Sequence, residues 1–495
     1  MNSVLQPERV ETAPAQYALY AICFGFFLVL LDTTALNVAV AAMEREFGGD
    51  INSLQWVVNS YTLVFASLLL VCGAIGDRFG SRRVYQAGLG LFTAMSLLCA
   101  LAPGLNYLIA LRVLQGLGAA MMLPASLSLL SHSFPDAAER GKAVAFWASV
   151  VSLGFAAGPA LGGALTYYLG WRSIFWINVP IGIIAFGMVK RFVRESVVPN
   201  PRHIDWAGQV TVSFALLFLT YALIQAGRYG WGDLRIQVAF GLALILIAVF
   251  IKIERSSQVP VLPPTLFGRP SFTVCVIIGL VLNFGTYGVL FIESLYLQNS
   301  RHLSALSTGL MILPFTGLPT VTTRVLGHRN SRHHIKPRLL IGLLSSGLGG
   351  GALVWQLTSH SFGPALLGMG MMGIGMGFVM PAMTAGVLMS APTHMSGLAS
   401  GILNSSRQTG GVLGVALMGT LVQRQQHEGL FLSFVLPSLC FPLMLRATAR
   451  YMEHRDESNP VQAWQNKMNP QRRFPLSSNR LTPAYQIRLL TVVAV

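Results

Sequence analysis

Two side chains of opposite charge lie inside apolar runs of this sequence, where charge is costly. Asp32 falls in "FFLVLLDTTALNVAV" (26–40) and Arg112 falls in "LRVLQGLGAA" (111–120). A carboxylate buried without a partner costs several kcal/mol or takes up a proton, and a buried arginine must likewise be paired or solvated. The chemistry that this pair suggests is reversible proton binding by Asp32, with Arg112 as its electrostatic partner. A permanently satisfied structural Asp–Arg pair is the alternative.

A second acid, Glu293, lies in the apolar and aromatic stretch 284–298. Spacings of three and four residues place Phe284, Tyr287 and Phe291 on one face of a helix, which Glu293 borders. The carboxylate would attract organic cations and the rings would add cation–π contacts, so these residues are predicted to bind substrate. The alternative is a Glu293 that lies near the membrane surface and is solvated.

The composition indicates which elements position these residues. Of 495 residues, 53% are hydrophobic and 11% are charged, whereas soluble proteins carry about 25% charged residues. The fold class is therefore predicted to be an all-α polytopic membrane protein. The five cysteines all lie in apolar stretches without a CxxC pair, which favours buried thiols over a disulfide framework or a metal site. The polar N-terminus does not resemble a removable signal peptide.

A helix needs about 20 apolar residues to cross a bilayer, and fourteen segments are candidates. They are residues 17–42, 54–74, 84–103, 106–131, 141–168, 172–190, 205–226, 237–252, 272–297, 305–324, 337–357, 361–388, 397–423 and 429–446. With both termini cytoplasmic, 26 Lys and Arg fall on the inner side, six on the outer side and two within spans. This asymmetry is the positive-inside pattern of a multi-pass protein of the inner (plasma) membrane. The net charge of +16 thus indicates orientation and lipid contact, and a nucleic-acid surface is not needed to explain it.

Two long inner loops divide the chain. They bracket the seventh and eighth spans and are rich in proline. We therefore predict two six-helix bundles joined by an extra helix pair. The predicted units are a cytoplasmic N-terminus (1–16), a first bundle (17–190), a linker with two helices (191–271), a second bundle (272–446) and a cytoplasmic tail (447–495).

The segment "GAIGDRFGSRR" (73–83) is predicted to form a tight inner loop between the second and third spans. Glycines there permit sharp turns, and Asp77 can pair with a neighbouring arginine or cap a helix. We predict that this segment gates the inner side, and a plain basic loop is the alternative. The gating residues are Gly73, Gly76, Asp77, Arg78, Gly80, Arg82 and Arg83.

The fifth span contains "LGFAAGPALGGAL" (153–165), in which glycines recur every four residues. Such a stripe permits close helix packing, and Pro159 removes a helix hydrogen bond and bends the helix. A bend or sliding surface is therefore predicted, with simple close packing as the alternative. The residues concerned are Gly154, Gly158, Pro159, Gly162 and Gly163.

These motifs, in this order, resemble the fourteen-helix drug:proton antiporter branch of the major facilitator superfamily. "LDTTALNVAV" is similar to the first-helix motif, "GAIGDRFGSRR" to the superfamily loop motif, "LRVLQGLGAA" to the fourth-helix motif and "GFAAGPALGG" to the antiporter motif. "WRSIFWINVPIG" (171–182) and "GLASGILNSSRQTGGVLGVALMG" (397–419) are also typical. Two features depart from the pattern. Ala41 stands where the first-helix motif usually has proline, and the loop 324–338 lacks an acidic residue.

The resemblance implies alternating access between two bundles and multidrug export driven by entering protons, with Asp32 at the position of the family's first-helix acid. No cofactor is expected beyond the proton gradient, and the expected partners are a small-molecule substrate, protons and membrane lipids, with no periplasmic adaptor identified. An exporter of one defined metabolite, such as an amino acid or siderophore, and a transporter-like receptor are the rival interpretations. An enzyme is not expected. "GMGMMG" (368–373) lies in an apolar span without a preceding strand, and His328, His333 and His334 lie among arginines, so neither indicates a nucleotide or metal site.

Overall fold

The computed structural model describes residues 12–195, 205–257, 260, 262–326, 334–359, 361–392, 395–424 and 426–452. Within these ranges the chain is helical and contains no β-strand. Three regions named above lie outside the described residues: most of both predicted cytoplasmic ends, the linker segment 196–204, and the loop residues 327–333 that include His328 and His333.

Sixteen α-helices follow one another along the described residues. They are α1 (Thr12–Phe47), α2 (Ile51–Phe79), α3 (Ser81–Ala100), α4 (Leu105–Ser133), α5 (Ala137–Leu169), α6 (Ser173–Trp176), α7 (Asn178–Phe192), α8 (Trp206–Tyr229), α9 (Leu234–Ser256), α10 (Pro264–Phe267), α11 (Pro270–Leu295), α12 (Ala305–Leu326), α13 (Ile335–Trp355), α14 (Gly363–Ser390), α15 (Ser396–Arg424) and α16 (Gln426–Tyr451). A π-helical turn, Tyr296–Ser300, extends α11.

Aspartates and glycines at the connections explain where many of these helices begin and end. The side chain of Asp50 accepts a hydrogen bond from the Ser53 backbone N–H at the start of α2, and Asp136 caps α5 in the same way. Such caps satisfy backbone donors that the first helical turn leaves without partners. Gly80 and Gly170 follow α2 and α5 with φ of 100° and 82°, a conformation that favours glycine.

Twelve helical segments are long and apolar enough to cross a membrane, which confirms a polytopic all-helical architecture. The other two predicted spans, 84–103 and 397–423, fall on α3 and α15, which are more polar than the twelve. The reason is visible in the sequence: α3 begins with "SRR", and "NSSRQT" (404–409) lies in the middle of α15.

The helix contacts fall into two groups with a seam between them. In the first group α1 packs against α5 and α7, and α4 packs against α2 and α3. In the second group α11 packs against α15, and α13 against α14 and α16. Across the seam α2 contacts α15, and α5 contacts α12, while α8 pairs with α9 and packs against both α2 and α15. The six-plus-two-plus-six division of the chain stays a prediction.

We name the two ends of the helix assembly by residues. The Gly80 end contains the α2–α3 connection, and the Gly48 end contains the α1–α2 connection (48–50). At the Gly48 end the seam is tightly joined, because Gln55 Nε2 donates to the backbone oxygens of Val415 and Ala416, at 2.9 and 2.7 Å. Thr420 Oγ1 likewise donates to Leu223 O, at 2.6 Å.

Candidate functional site

The two opposite charges that the sequence singles out meet inside the first helix group. Asp32 lies on α1 and Arg112 on α4, and Arg112 Nη1 lies 2.5 Å from Asp32 Oδ2. The side chains are 0% and 1% exposed, so neither charge is stabilised by solvent. The predicted pairing of Asp32 with Arg112 is confirmed as a contact, whereas its role in proton coupling stays a prediction.

Amide and hydroxyl side chains complete the surroundings of this pair. Gln115 Nε2 and Asn178 Nδ2 both approach Asp32 Oδ1, at 3.3 Å, and both donate to Ser96 Oγ, at 2.9 Å. Arg112 Nη1 also donates to Gln115 Oε1, at 2.7 Å. All three residues are fully buried. Because charged groups gain most from hydrogen bonds in a low-dielectric interior, this network fixes the Asp32 side chain in one position.

Aromatic rings and a backbone oxygen enclose the remaining side of Arg112. Its guanidinium carbon lies 4.2 Å from the centroid of the Tyr61 ring and 5.9 Å from that of Phe175. Arg112 Nε donates to Val57 O, at 3.3 Å. Residues of α1, α2, α3, α4, α6 and α7 therefore form this cluster. A proton on Asp32 would remove the negative charge that its hydrogen-bond donors surround.

The segment 73–83 differs from the tight loop that the sequence predicts. Helix α2 continues to Phe79 and α3 begins at Ser81, so Gly80 alone forms the connection. Gly73, Gly76, Asp77 and Arg78 are helical because the turn needs only one residue, Gly80, with positive φ. The Gly80 N–H closes the helix on Gly76 O, at 3.0 Å. The connection is tight, as predicted, but it is one residue long and does not occupy the segment 73–83; its gating role stays a prediction.

Glu195, which follows α7, fastens this connection, and sequence reasoning missed it. Its carboxylate accepts hydrogen bonds from the backbone N–H groups of Arg82 and Arg83, at 2.9 and 3.3 Å. It also forms an ion pair with Arg83 Nε, at 3.7 Å, while Arg82 Nη2 donates to Lys190 O, at 2.6 Å. A carboxylate at the N-terminus of α3 is favourable, because this end of a helix carries partial positive charge.

The glycine stripe of α5 lies against α1, its neighbour in the first group. A Cβ on Gly154 would approach Phe27 O within 2.9 Å, and one on Gly162 would approach the Ala35 Cα within 2.7 Å. A Cβ on Gly158 would overlap Thr34 Oγ1. The predicted close packing of the stripe is confirmed as geometry, whereas its sliding stays a prediction.

The opposite side of α5 faces the second group. Gly309 of α12 approaches Pro159 O so closely that a Cβ there would overlap it, and Gly163 is similarly close to Ala305 O. Thr316 Oγ1 donates to Ala156 O, at 3.1 Å. Helix α5 therefore touches α1 with one face and α12 across the seam with the other.

Glu293 is fully buried, so its predicted alternative as a solvated group near the membrane surface was wrong. Gln356 Nε2 donates to Glu293 Oε2, at 2.7 Å, and Oε1 has no hydrogen-bond partner. Tyr287 and Phe291 are buried in packed helix contacts, Tyr287 against Gly411 of α15. Neither of the two cavities described next is lined by these residues, and their predicted role in substrate binding stays a prediction.

Two neighbouring cavities open on the seam. The larger, about 400 Å³, lies toward the Gly80 end between α2, α4, α8 and α15, and its polar lining includes Asp77, Asp205, Gln209 and Asn404. The smaller, about 90 Å³, is mostly apolar and lies between α2, α8, α11 and α15. A cavity of several hundred Å³ has the size of a site for a drug-like molecule. Among the described residues no three His, Cys, Asp or Glu side chains form a group that could hold a metal ion.

Comparison with known proteins identifies the relatives of this chain. The family model described as Major Facilitator Superfamily matches residues 22–415. Multidrug resistance protein Stp of Mycobacterium tuberculosis (strain CDC 1551 / Oshkosh) is 34% identical over 405 residues, which are 82% of this chain and 75% of Stp. Methylenomycin A resistance protein of Bacillus subtilis (strain 168) is 36% identical over 406 residues, 82% of this chain and 87% of the relative.

Solved structures share the fold at low sequence identity. A peptide transporter POT in complex with sulfate superposes with a TM-score of 0.65 at 17% identity, covering 87% of this chain and 94% of the other. A bacterial homologue of the human lysosomal transporter Spinster, inward-facing and unoccupied, gives 0.64 at 15% identity, covering 90% and 98%. At such identities the likeness concerns the fold alone.

Proposed function

Because this chain belongs to the Major Facilitator Superfamily, we propose that it is a proton-coupled antiporter that exports small amphipathic compounds by alternating access. Relatives named for multidrug resistance and antibiotic resistance support drug efflux over the export of a single metabolite or a receptor role. In this proposal α3 and α15 also cross the membrane, which gives fourteen transmembrane helices, two six-helix bundles and a linker pair. Both termini lie in the cytoplasm and the Gly80 end faces it.

The buried Asp32–Arg112 pair is the observation on which the coupling mechanism rests. A proton that reaches Asp32 neutralises its carboxylate and removes the attraction that holds Arg112 Nη1 at 2.5 Å. Gln115 and Asn178 now face a neutral acid that accepts hydrogen bonds more weakly. Arg112 keeps Tyr61 and Val57 O as partners on α2. Protonation of Asp32 therefore weakens the interaction of Arg112 with α1 and leaves its interactions with α2. Coupling follows if the two bundle orientations favour the two protonation states of Asp32 differently.

The proposed path of the substrate follows from two features: the seam is closed at the Gly48 end, and the larger cavity lies toward the Gly80 end. Substrate enters the larger cavity from the cytoplasm in the state that the structure represents. The seam then opens at the Gly48 end, where Gln55 of α2 now bridges to α15. Helix α5 contacts both α1 and α12, so it transmits the movement between the bundles.

Transport into inverted membrane vesicles tests this function directly. Vesicles that contain the full-length chain are supplied with a panel of cationic, neutral and acidic fluorescent dyes under an imposed pH gradient. We expect uptake of several dyes, and we expect uptake to stop when the gradient is collapsed. Uptake of one metabolite alone would favour the single-substrate exporter, and binding without any gradient-driven uptake would favour the receptor.

A further inference from the structure

A second arginine within the helix assembly, Arg407 of α15, lacks the partners that Arg112 has. Among the described residues, its Nη1 makes a single long contact with Asn404 Oδ1, at 3.4 Å, and its buried Nε has no hydrogen-bond partner. The ion pairs found among the described residues are Arg83–Glu195, Arg112–Asp32 and Arg172–Glu46, and none of them involves Arg407. An arginine within a membrane is costly unless it meets an anion or other acceptors.

Arg407 lies along one face of α11 that also carries an amide without partners. A Cβ on Gly279 would lie 3.1 Å from Arg407 Cγ, and Tyr287 lies two helical turns beyond Gly279 on the same face of α11. Asn283 lies midway between them, one helical turn from each and on the same face. Its side chain is 1% exposed, and neither its nitrogen nor its oxygen has a hydrogen-bond partner.

The larger cavity comes close to Arg407 at Asn404, although Arg407 and Asn283 themselves do not line it. Asn404, which contacts Arg407, lines the cavity of about 400 Å³. Helix α15 contacts α2 across the seam nearby, through Ser405 Oγ and Ala66 O at 3.2 Å. The carboxylates that line the same cavity, Asp77 and Asp205, lie toward the Gly80 end. An anionic group therefore has its favourable partners beyond Asn404, between α15 and α11 and away from these carboxylates.

We propose that Arg407 and Asn283 form an anion-binding subsite that takes the carboxylate of an amphipathic substrate entering through the larger cavity; this proposal rests on the export function proposed above. The guanidinium of Arg407 offers charge and a free Nε–H, and Asn283 Nδ2 offers a second donor. Carboxylate oxygens match such a set, because they accept several hydrogen bonds and neutralise the buried cation. The apolar lining of the cavity accommodates the rest of the molecule.

Binding of a matched acid and ester tests the subsite. The full-length protein is placed in nanodiscs of phosphatidylcholine and titrated with 1-pyrenebutyrate and with its methyl ester, in which a methyl group replaces the negative charge. We expect the wild type to bind the acid more tightly than the ester. Arg407→Gln should weaken binding of the acid by about tenfold or more, as expected for loss of a charged hydrogen bond, and should leave ester binding within about twofold. Asn283→Ala should weaken acid binding less.

Matched controls separate a subsite from a structural role. Arg255→Gln makes the same change at an exposed position of α9 and should alter neither affinity. Arg407→Lys keeps the charge without the planar fork and should retain part of the preference for the acid. Size-exclusion chromatography and thermal melting show whether Arg407→Gln folds. If it does not, Arg407→Lys and Asn283→Ala provide the test.

Three results would overturn the proposal. The first is equal loss of acid and ester in Arg407→Gln, the second is no loss of either, and the third is a wild type that prefers the ester. Discs that contain phosphatidylglycerol distinguish the source of the anion, since a tenfold weaker acid affinity there would assign the site to a lipid headgroup instead. The titration needs no pH gradient. A negative titration would therefore reject the subsite without contradicting transport of neutral and cationic dyes, and absence of transport would reject the export function without contradicting the binding result.

Discussion

The two helix groups treat their buried charges in opposite ways. In the first, Asp32 and Arg112 contact each other and make hydrogen bonds or ring contacts with four other side chains. In the second, Glu293 has one amide partner and Arg407 one long contact. Two opposite charges that are paired with each other are held in one arrangement, whereas a charged group with spare hydrogen-bonding capacity is suited to a ligand. This contrast fits our proposal that the first group senses a proton and the second binds a substrate.

Removing Arg112 should have the largest effect, because it leaves the Asp32 carboxylate buried without its counter-charge. Loss of one partner from a buried ion pair costs roughly 3–5 kcal/mol. We expect Arg112→Gln to lower the melting temperature sharply and to abolish export. Arg407→Gln is the matched change in the second group and should lower the melting temperature far less. Equal destabilisation by the two variants would erase the contrast between the groups.

A bulky side chain on the α1-facing side of α5 should have the second-largest effect on export. In Gly158→Leu the new atoms would collide with Thr34, and overpacking of this kind costs roughly 1–3 kcal/mol or more. We expect export to be blocked or the vesicles to leak protons, measured together by dye uptake and pH-sensitive fluorescence. Gly187→Leu is the control, since a Cβ at Gly187 would meet no atom within 4 Å. Wild-type values for both readouts in Gly158→Leu would rule out a sealed or sliding interface.

The residues that the sequence predicted correctly are those whose type is unusual for their surroundings. Asp32 and Arg112 could be paired because two opposite charges in apolar spans have few other solutions. Ser96, Asn178 and Tyr61 could not be foreseen, because such side chains are ordinary in helices and their convergence depends on how the helices pack. The faint signal for Asn178 was its place in "WRSIFWINVPIG", one of the family-like segments.

The segment 73–83 and Glu195 show a different limit. Two glycines around Asp77 and Arg78 predicted a loop, yet helix geometry persists through three of these four residues and turns at Gly80 alone. Glu195 lies 112 residues beyond Arg83 in sequence and carries no motif, so its capping of α3 is visible only in three dimensions. For Glu293 the sequence left a position beside a pocket and a solvated position both open, and only the structure, in which the π-helical turn 296–300 extends α11 beyond it, shows that it is buried.

Breaking the Glu195 contacts should have a smaller effect, confined to the Gly80 end of the first group. Loss of a helix cap and a partly exposed ion pair costs about 1 kcal/mol. We expect Glu195→Gln to raise the labelling rate of a single cysteine placed near the α2–α3 connection in a cysteine-free background. Glu139→Gln, at an exposed position in the first turn of α5, is the control. If labelling is unchanged in Glu195→Gln but increases in Asp77→Asn, then Asp77 and not Glu195 holds the Gly80 end closed.

Of these variants, Glu293→Gln should change stability and export least. It tests the role of the buried acid in the second group. The glutamine retains a side-chain oxygen toward Gln356 and removes one charge, so stability should change little. If Glu293 contributes to substrate binding, export of cationic dyes should fall by about twofold to fivefold, a change of up to about 1 kcal/mol, while neutral dyes are spared. Equal losses for both dye classes, or no loss for either, would exclude Glu293 from the substrate site.

The central claim is that Asp32 carries the coupling proton, and Asp32→Asn in inverted vesicles tests it most directly. The amide has nearly the same shape as the carboxylate and cannot release a proton to complete the cycle. Dye uptake driven by the pH gradient is measured beside exchange of the same dye across the membrane without a gradient, at equal amounts of protein. The account predicts that gradient-driven uptake falls to the gradient-free level while exchange persists. Full gradient-driven uptake by Asp32→Asn would contradict it.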